Sequence, residues 1–474
     1  MCNDVLGDRA SAPRAVVAML LLVASLLGDG RCMAAPPPDE SSAAKLVNPG
    51  PDPRYKADIL VVVAHPDDEL LVATLLAKMS LDAHKRVAVV FCTHGENGEN
   101  KAGYEQGQSL GAIREIEART AVGTLGIANV WFLGGTDTPA PNGHDVLRSL
   151  AAWNHGAVLG DLVRVVRLTR PAVILTFLPA PVIGESHEDH QAAAVIGTEA
   201  FDIAGDPTQF SEQVGFPVNH RGFSELLGGL RAWQPQKLYY FSDADDPSFL
   251  KGKGPSYPVT EVSATRRVEY FRLWLTMAHL YSTQYDNLPA ADGDVPPGFD
   301  PPPVRLALGK SVVRTSLTSD ILDGTSENAV AYTAPRGYHA GENVRSTIWV
   351  ELGGAWSFYR QFWAAHDLKA VSDLIPVPAV EASSGRRLLV PLLLHNDTNK
   401  PQTVTLQASM PPGWSMDKPV EVHRIAPGDV VPISAEVLVG PGGSDEDRVL
   451  AFSAIVGDKE VASTELRVHG RASN

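Results

Sequence analysis

ILVVVAHPDDELLVATLLAKM, residues 59–79, runs from unbroken aliphatic residues through one histidine and three acids into a segment with helical spacing of apolar positions. A continuous Val/Ile/Leu run is the pattern of a strand buried on both faces of a parallel sheet, so this stretch reads as the strand, turn and helix of a βαβ unit. The pattern recurs. ADILVVVA, RVAVVFCT, NVWFLG and PAVILTFLP, between Ala57 and about Asp243, read as buried strands. Between them ELLVATLLAKM, EQGQSLGAIREIEARTAVGTLG and HDVLRSLAAWNHGAVLGDLVRVVRLT carry helical spacing. Such alternation predicts an α/β fold with a doubly wound, mostly parallel, Rossmann-like sheet over residues 57–290.

The flanks have different characters. Arg9 and Arg14 precede the apolar run Ala15–Leu27, which is long enough for a signal h-region but shorter than the roughly 20 residues that span a bilayer. With the small residues Ala34 and Ala35 as a cleavage point, residues 1–35 read as a signal peptide and 36–56 as a linker. A secreted or periplasmic protein is expected, with no integral membrane segment after cleavage. Residues 291–374 begin with a Pro-rich connector and contain the aromatic cluster AWSFYRQFW, a bridging region whose class the sequence leaves open. From 375 to 474, short strand patterns such as RRLLVPLLLHN, QTVTLQAS and VVPISAEVLV alternate with turn-rich segments, which predicts a C-terminal β-sandwich accessory domain.

Composition excludes one class of partner. With 40 Lys+Arg against 55 Asp+Glu the net charge is -15, the wrong sign for binding a phosphate backbone, so no nucleic-acid partner is expected. Of the three cysteines only Cys92 would survive cleavage, so no intramolecular disulfide is expected, and its place in VAVVFCT reads as a buried hydrophobe.

His65-Pro66-Asp67-Asp68-Glu69 by itself is also how an ordinary helix begins, because Pro and acids suit the first turn. A second cluster changes the balance. PVIGESHEDHQAAAVIG places His187, Asp189 and His190 after another presumed strand and before another helix. Both clusters then fall at the carboxyl edge of one sheet, where open α/β sheets bind ligands. Histidines and carboxylates converging there fit a metal such as zinc, which in catalytic sites takes three His or Asp/Glu ligands and keeps one position open. His65 and Asp68 can converge on one ion across the turn, a distal histidine can complete the set, and Asp67 is left free as a base.

The AHPDDE motif after a strand, with the later His-x-Asp-His, resembles the LmbE/PIG-L family of zinc-dependent deacetylases, which act on N-acetylglucosamine-type substrates; the likeness covers roughly Ala57 to Asp286. The resemblance implies that His65, Asp68 and His190 bind Zn2+, that Asp67 is the general base, and that His187, oriented by Asp189, stabilises the oxyanion or protonates the amine. It also implies that Arg114, with Glu117 beside it, and Asp137 contact the substrate, an N-acetylated amino sugar or glycoconjugate. A protonated His187 is expected in the substrate complex. The chain departs from the family pattern at Leu70-Leu71-Val72-Ala73, where many members have glycines, and at Glu188, where many have proline. Two other readings compete: a metal-dependent hydrolase of another acyl or ester bond, and a glycan-binding protein on the same scaffold.

Overall fold

Apolar β-branched residues that fill both faces of a strand can be accommodated only in the centre of a sheet. The computed structural model describes residues 51–138, 145–182, 187–214, 230–293, 302–335, 347–375, 377–440 and 447–471. The expected signal peptide, most of the linker and part of the Pro-rich connector lie outside the described residues.

The first sheet is assembled from β1 (Ile59–Val63), β2 (Val87–Phe91), β3 (Asn129–Phe132), β4 (Val173–Phe177) and β5 (Lys237–Phe241), and every residue of β1, β2, β4 and β5 is buried. Helices α1 (Ala73–Ala77), α2 (Gln108–Gly123), α3 (Val146–Ala152), α4 (His155–Thr169) and α5 (Glu188–Ile203) punctuate these strands. A short ribbon of β6 (Ser256–Tyr257) and β7 (Val304–Arg305) flanks α6 (Tyr270–Ala278), and β8 (Ala307–Ser311) returns to the sheet. The order is β3-β2-β1-β4-β5-β8, parallel through β5, with β8 antiparallel at the edge. Val61, opposite Val89 and Leu175, marks the middle of the core.

ELLVATLLAKM does not form one uniform helix. Asp68–Val72 is a 3₁₀ turn, α1 covers only Ala73–Ala77, and Lys78–Asp82 widens into a π turn. The Asp68 carboxylate folds back to accept from the amides of Ala64 and His65, at 3.0 and 2.7 Å, so the first turn is bent toward the strand end rather than capped in the ordinary way.

The bridging region divides between the two cores. While β8 completes the first sheet, β9 (Ile348–Leu352) pairs with β11 (Arg387–Asn396) of the C-terminal part. Between β9 and the next strand, α7 (Ala355–Ala365) and α8 (Lys369–Ser372) pack Tyr359, Phe362 and Val371 onto the first core. The remaining strands are β10 (Ala379–Ser383), β12 (Gln402–Ser409), β13 (Ser415–Met416), β14 (Val420–Ile425), β15 (Val430–Leu438), β16 (Asp447–Val456) and β17 (Lys459–Arg471). They form two sheets, β10-β17-β16-β12-β14 and β13-β15-β11-β9, antiparallel except where β10 runs parallel to β17. Alternate residues such as Val390, Leu392 and Leu394 point into a second apolar core with Leu406, Phe452 and Trp414. The architecture is therefore mixed α/β with a parallel-rich sheet and additional antiparallel sheets toward the C-terminus. Among the described residues no helix is long and apolar enough to cross a membrane.

Candidate metal centre

Strands that run in parallel bring their carboxyl ends to one edge, and the loops leaving β1, β3, β4 and β5 meet there. His65 follows β1, Asp137 follows β3, His187 to His190 open α5 after β4, and Asp243 follows β5. His65 Nε2 lies 3.2 Å from Asp137 Oδ1 and 3.3 Å from Asp189 Oδ2, while its Nδ1 faces Asp68 Oδ2 at 3.5 Å. His190 Nε2 is 3.0 Å from Asp68 Oδ1, and its Nδ1 is 2.6 Å from Asp243 Oδ2. The His190 ring stacks on Phe177 with 4.3 Å between centroids, which fixes its plane.

Two groups bring ligand atoms within 4.8 Å of one another: His65, Asp68 and His190; and His65, His187 and Asp189. The first fits a cation better. In the second, Asp189 is already occupied, accepting from the Thr138 amide at 2.9 Å and from the Thr138 hydroxyl. His187 Nδ1 in turn accepts from the Asp189 amide at 3.1 Å, which leaves Nε2 to carry the ring proton. In the first group the outer carboxylates do what such groups do around a metal-ligating histidine. Asp243 holds Nδ1 of His190, and Asp137 with Asp189 hold Nε2 of His65, so each ring presents its other nitrogen toward Asp68.

The charges point the same way. Burial works against a charged imidazole, yet Asp137, Asp189 and Asp68 raise His65 well above its ordinary range, and Asp68 and Asp243 push His190 up to about 10. Against its own burial, Asp68 is held far below the usual carboxylate range by His190 and His65. A field that draws protons onto two buried imidazoles is one that would hold a cation between them.

Asp67 stands apart from this ligand group. Its backbone is left-handed with φ 108°, an unusual conformation for a non-glycine residue that costs about 1–3 kcal/mol and is typical of functional turns. Burial, followed by the charge of Asp68, pushes its carboxyl up to about 7. Tyr285 hydrogen-bonds to Asp67, Gln284 donates to the Pro66 carbonyl at 2.5 Å, and Tyr281 donates to Glu69 at 2.5 Å. Burial, chiefly, lifts Glu69 to about 8. His187 moves the other way. Burial and the neighbouring His65 and His190 lower it to about 4, so in the free site it is a neutral imidazole, in contrast to the imidazolium expected in the substrate complex.

His65, Asp67, Asp68, Asp137, His187, Asp189 and His190 thus come together. Arg114 and Glu117 stand behind them on α2. The Arg114 guanidinium donates to the carbonyls of Gly95 and Glu99 at 2.8 Å, and Glu117 accepts from Ser282 and Thr283. Sequence reasoning missed Asp243 and the Tyr281–Tyr285 segment. KLYYF was not among the segments read as strands, and recognising it as one would have placed Asp243 at the same edge. Tyr281 and Gln284 reach the motif from far along the chain, whereas His279 beside them is exposed and bonds the Pro289 carbonyl.

Residues 60–201 match the PIG-L family, described as GlcNAc-PI de-N-acetylase. A 1D-myo-inositol 2-acetamido-2-deoxy-alpha-D-glucopyranoside deacetylase 1 of Frankia alni is 33% identical over 191 residues, 37% of this chain and 59% of the relative. A deacetylase of the same description from Thermobispora bispora is 32% identical over 231 residues, 45% of this chain and 68% of the relative. The chain spans 59, 52 and 57% of three of the curated relatives it matches. Among solved structures, N,N'-diacetylchitobiose deacetylase from Pyrococcus horikoshii aligns over 49% of this chain and 72% of its own at 19% identity, with a TM-score of 0.34, too low to bear on the argument.

Proposed function

The chain belongs to the PIG-L family, and from that premise we propose that it is a zinc-dependent deacetylase that hydrolyses the N-acetyl amide of an amino sugar or a related glycoconjugate. The observation that carries the proposal is the convergence of His65, Asp68 and His190 beside a buried, left-handed Asp67. Two imidazoles and a carboxylate are a donor set that suits zinc and leaves a position open. Bound zinc supplies Lewis acidity toward water and toward the amide carbonyl.

The protein's own groups divide the remaining work. Asp67, with its carboxyl near neutrality, accepts the proton of the attacking water and returns it to the leaving amine. His187, with Nδ1 taken by the Asp189 amide, donates from Nε2 to the oxygen on which negative charge develops. A neutral donor can fill this role. Asp189 holds His65, and the backbone it shares with the start of α5 sets the His187 ring. Asp137 completes the carboxylate pair on His65. Arg114 and Glu117 are assigned to substrate binding through the loops they brace.

The wider architecture is part of the same reading. A strand order that runs β1 to β3 in one direction and then returns to β4 beside β1 supports a doubly wound, Rossmann-like sheet with the site at the reversal. Two antiparallel-rich sheets around one apolar core support a C-terminal β-sandwich. Export of the protein rests on the apolar run Ala15–Leu27.

The test is acetate release from a panel of N-acetylated sugars by zinc-loaded protein, beside Asp67→Asn. The wild type is expected to release acetate, and the variant to lose about 10²- to 10⁴-fold in kcat while retaining its zinc. A variant as active as the wild type would remove Asp67 from the mechanism.

A further inference from the structure

Asp67, Asp68 and His190 are among the residues that line a cavity of about 280 Å³. Apolar side chains make up most of the rest of the lining, Leu70, Leu71, Val259, Phe271, Trp274 and Val304 with Pro302, and Thr74 and Tyr285 add two hydroxyls. The sequence explains how they meet. On α6, Phe271, Trp274 and Leu275 are three and four residues apart and share a face. Pairing of Tyr257 with Val304 in the β6–β7 ribbon brings the segments carrying Val259 and Val304 side by side. Val259, Phe271 and Leu275, with Trp274, Ala291 and Val304 against them, make a small apolar cluster that Trp274 and Val304 join to the edge of the first core. Tyr270, at the start of α6, is tied to Asp82 at the end of the π turn, so this wall is anchored to the segment that begins with the 3₁₀ turn of Leu70 and Leu71.

Two features set the wall apart from the catalytic residues. Val259, Phe271, Trp274 and Val304 all lie beyond residues 60–201, the part matched to the family, while the proposed ligands lie within it. Leu70 and Leu71 stand where the chain departs from the family's glycines, and Leu71, 41% exposed, forms an apolar lip. Leu70, Leu71, Val259, Phe271 and Val304 offer no partner to sugar hydroxyls, which lose water on entering a space lined mostly by such side chains.

We infer that the substrate carries an apolar group, either an N-acyl chain longer than acetyl or a hydrocarbon aglycone, and that this group occupies the cavity between α6 and Leu70–Leu71 next to the scissile amide. The inference rests on the deacylase reading above. The volume falls just below the span of roughly 300–1,000 Å³ typical of small-ligand sites, so it suits a short chain or a ring rather than a polymer segment.

The experiment uses the zinc-loaded full chain and two homologous series: N-acetyl-, N-butanoyl- and N-hexanoylglucosamine, and the methyl, butyl and hexyl glycosides of N-acetylglucosamine. Amine release gives kcat and KM, and titration of hexyl β-D-glucoside, which has no amide, gives binding alone. In one series KM is expected to fall about fourfold for each added methylene until the cavity is full. That series identifies whether the acyl or the aglycone side supplies the group. Hexyl β-D-glucoside is expected to bind, and both Leu71→Asp and Trp274→Ala are expected to flatten the dependence on chain length. KM values independent of chain length in both series, with no binding of the hexyl glucoside, would overturn the inference and leave the deacetylase standing. Failure to hydrolyse any member, with hexyl glucoside still bound and released by Leu71→Asp, would overturn the deacylase reading while supporting the apolar site.

Discussion

At the scale of single residues, carboxylates hold the outer nitrogens of the two candidate ligand imidazoles, Asp137 and Asp189 on His65 and Asp243 on His190. His190 has two ring nitrogens and both are committed, one to Asp243 and one to the side where Asp68 stands. Asp243→Asn keeps the shape but not the charge that orients and strengthens the ring as a donor. A loss of about 10- to 100-fold in zinc affinity is expected, measured by competition with a chelator. His190→Ala removes a proposed ligand outright, and dialysed protein is expected to retain no stoichiometric zinc by elemental analysis. The candidate ligand group of His65, Asp68 and His190, with Asp67 beside it, was legible from two short motifs, because each sits next to a strand or helix that the periodicity also marks. Asp243 was not, since it lies in a loop with no neighbouring histidine in sequence and acquires its role only when β5 pairs beside β4.

At the scale of elements, Asp82 ties the end of the π turn after α1 to the start of α6 and so supports the wall of the apolar cavity. Asp82, half-buried at the end of the π turn, accepts from the Tyr270 hydroxyl, from Ser263 Oγ at 3.1 Å and from the Thr265 amide at 2.8 Å. Desolvation opposes its ionisation, but the hydrogen bonds from Tyr270 and Thr265 prevail and lower its pKa below the ordinary 3.8. A depressed carboxylate contributes stability that is fully present above its unfolded pKa and is lost as pH falls through the folded value. The urea midpoint of the wild type should therefore drop more steeply than that of Asp82→Asn as pH falls below about 4. Asp82→Ala is expected to cost about 1–2 kcal/mol at neutral pH, the range for losing a capping carboxylate, and equilibrium urea unfolding measures it. None of this follows from the AHPDDE stretch or from helical spacing, which predicted a helix through Glu69–Met79; Asp68 and Asp82, in the 3₁₀ and π turns, both bond outside the helix.

At the scale of the whole molecule, the two cores are interleaved through residues 347–375. β9 contributes Ile348, Val350 and Leu352 to the C-terminal core, whereas α7, three residues later, contributes Tyr359 and Phe362 to the first. Tyr359 hydrogen-bonds Gln191, the neighbour of His190, and Trp363 donates to the Pro179 carbonyl at 2.8 Å. A chain ended after Leu374 keeps β9 but removes β11, its strand partner, and so exposes an apolar edge. Such a truncation is expected to aggregate, while the full chain elutes as a discrete species on size-exclusion chromatography. The sequence by itself determined the parallel-rich sheet, the antiparallel strands near the C-terminus and the His/Asp clusters, because periodicity of two kinds and short motifs are local properties of a chain. Only the tertiary structure decided what residues 304–374 do, which carboxylates stand behind each histidine, and that apolar side chains from Leu70 to Val304 close one cavity. Those are contacts between segments as much as 234 positions apart, and a one-dimensional pattern carries no record of which distant segments burial will bring together.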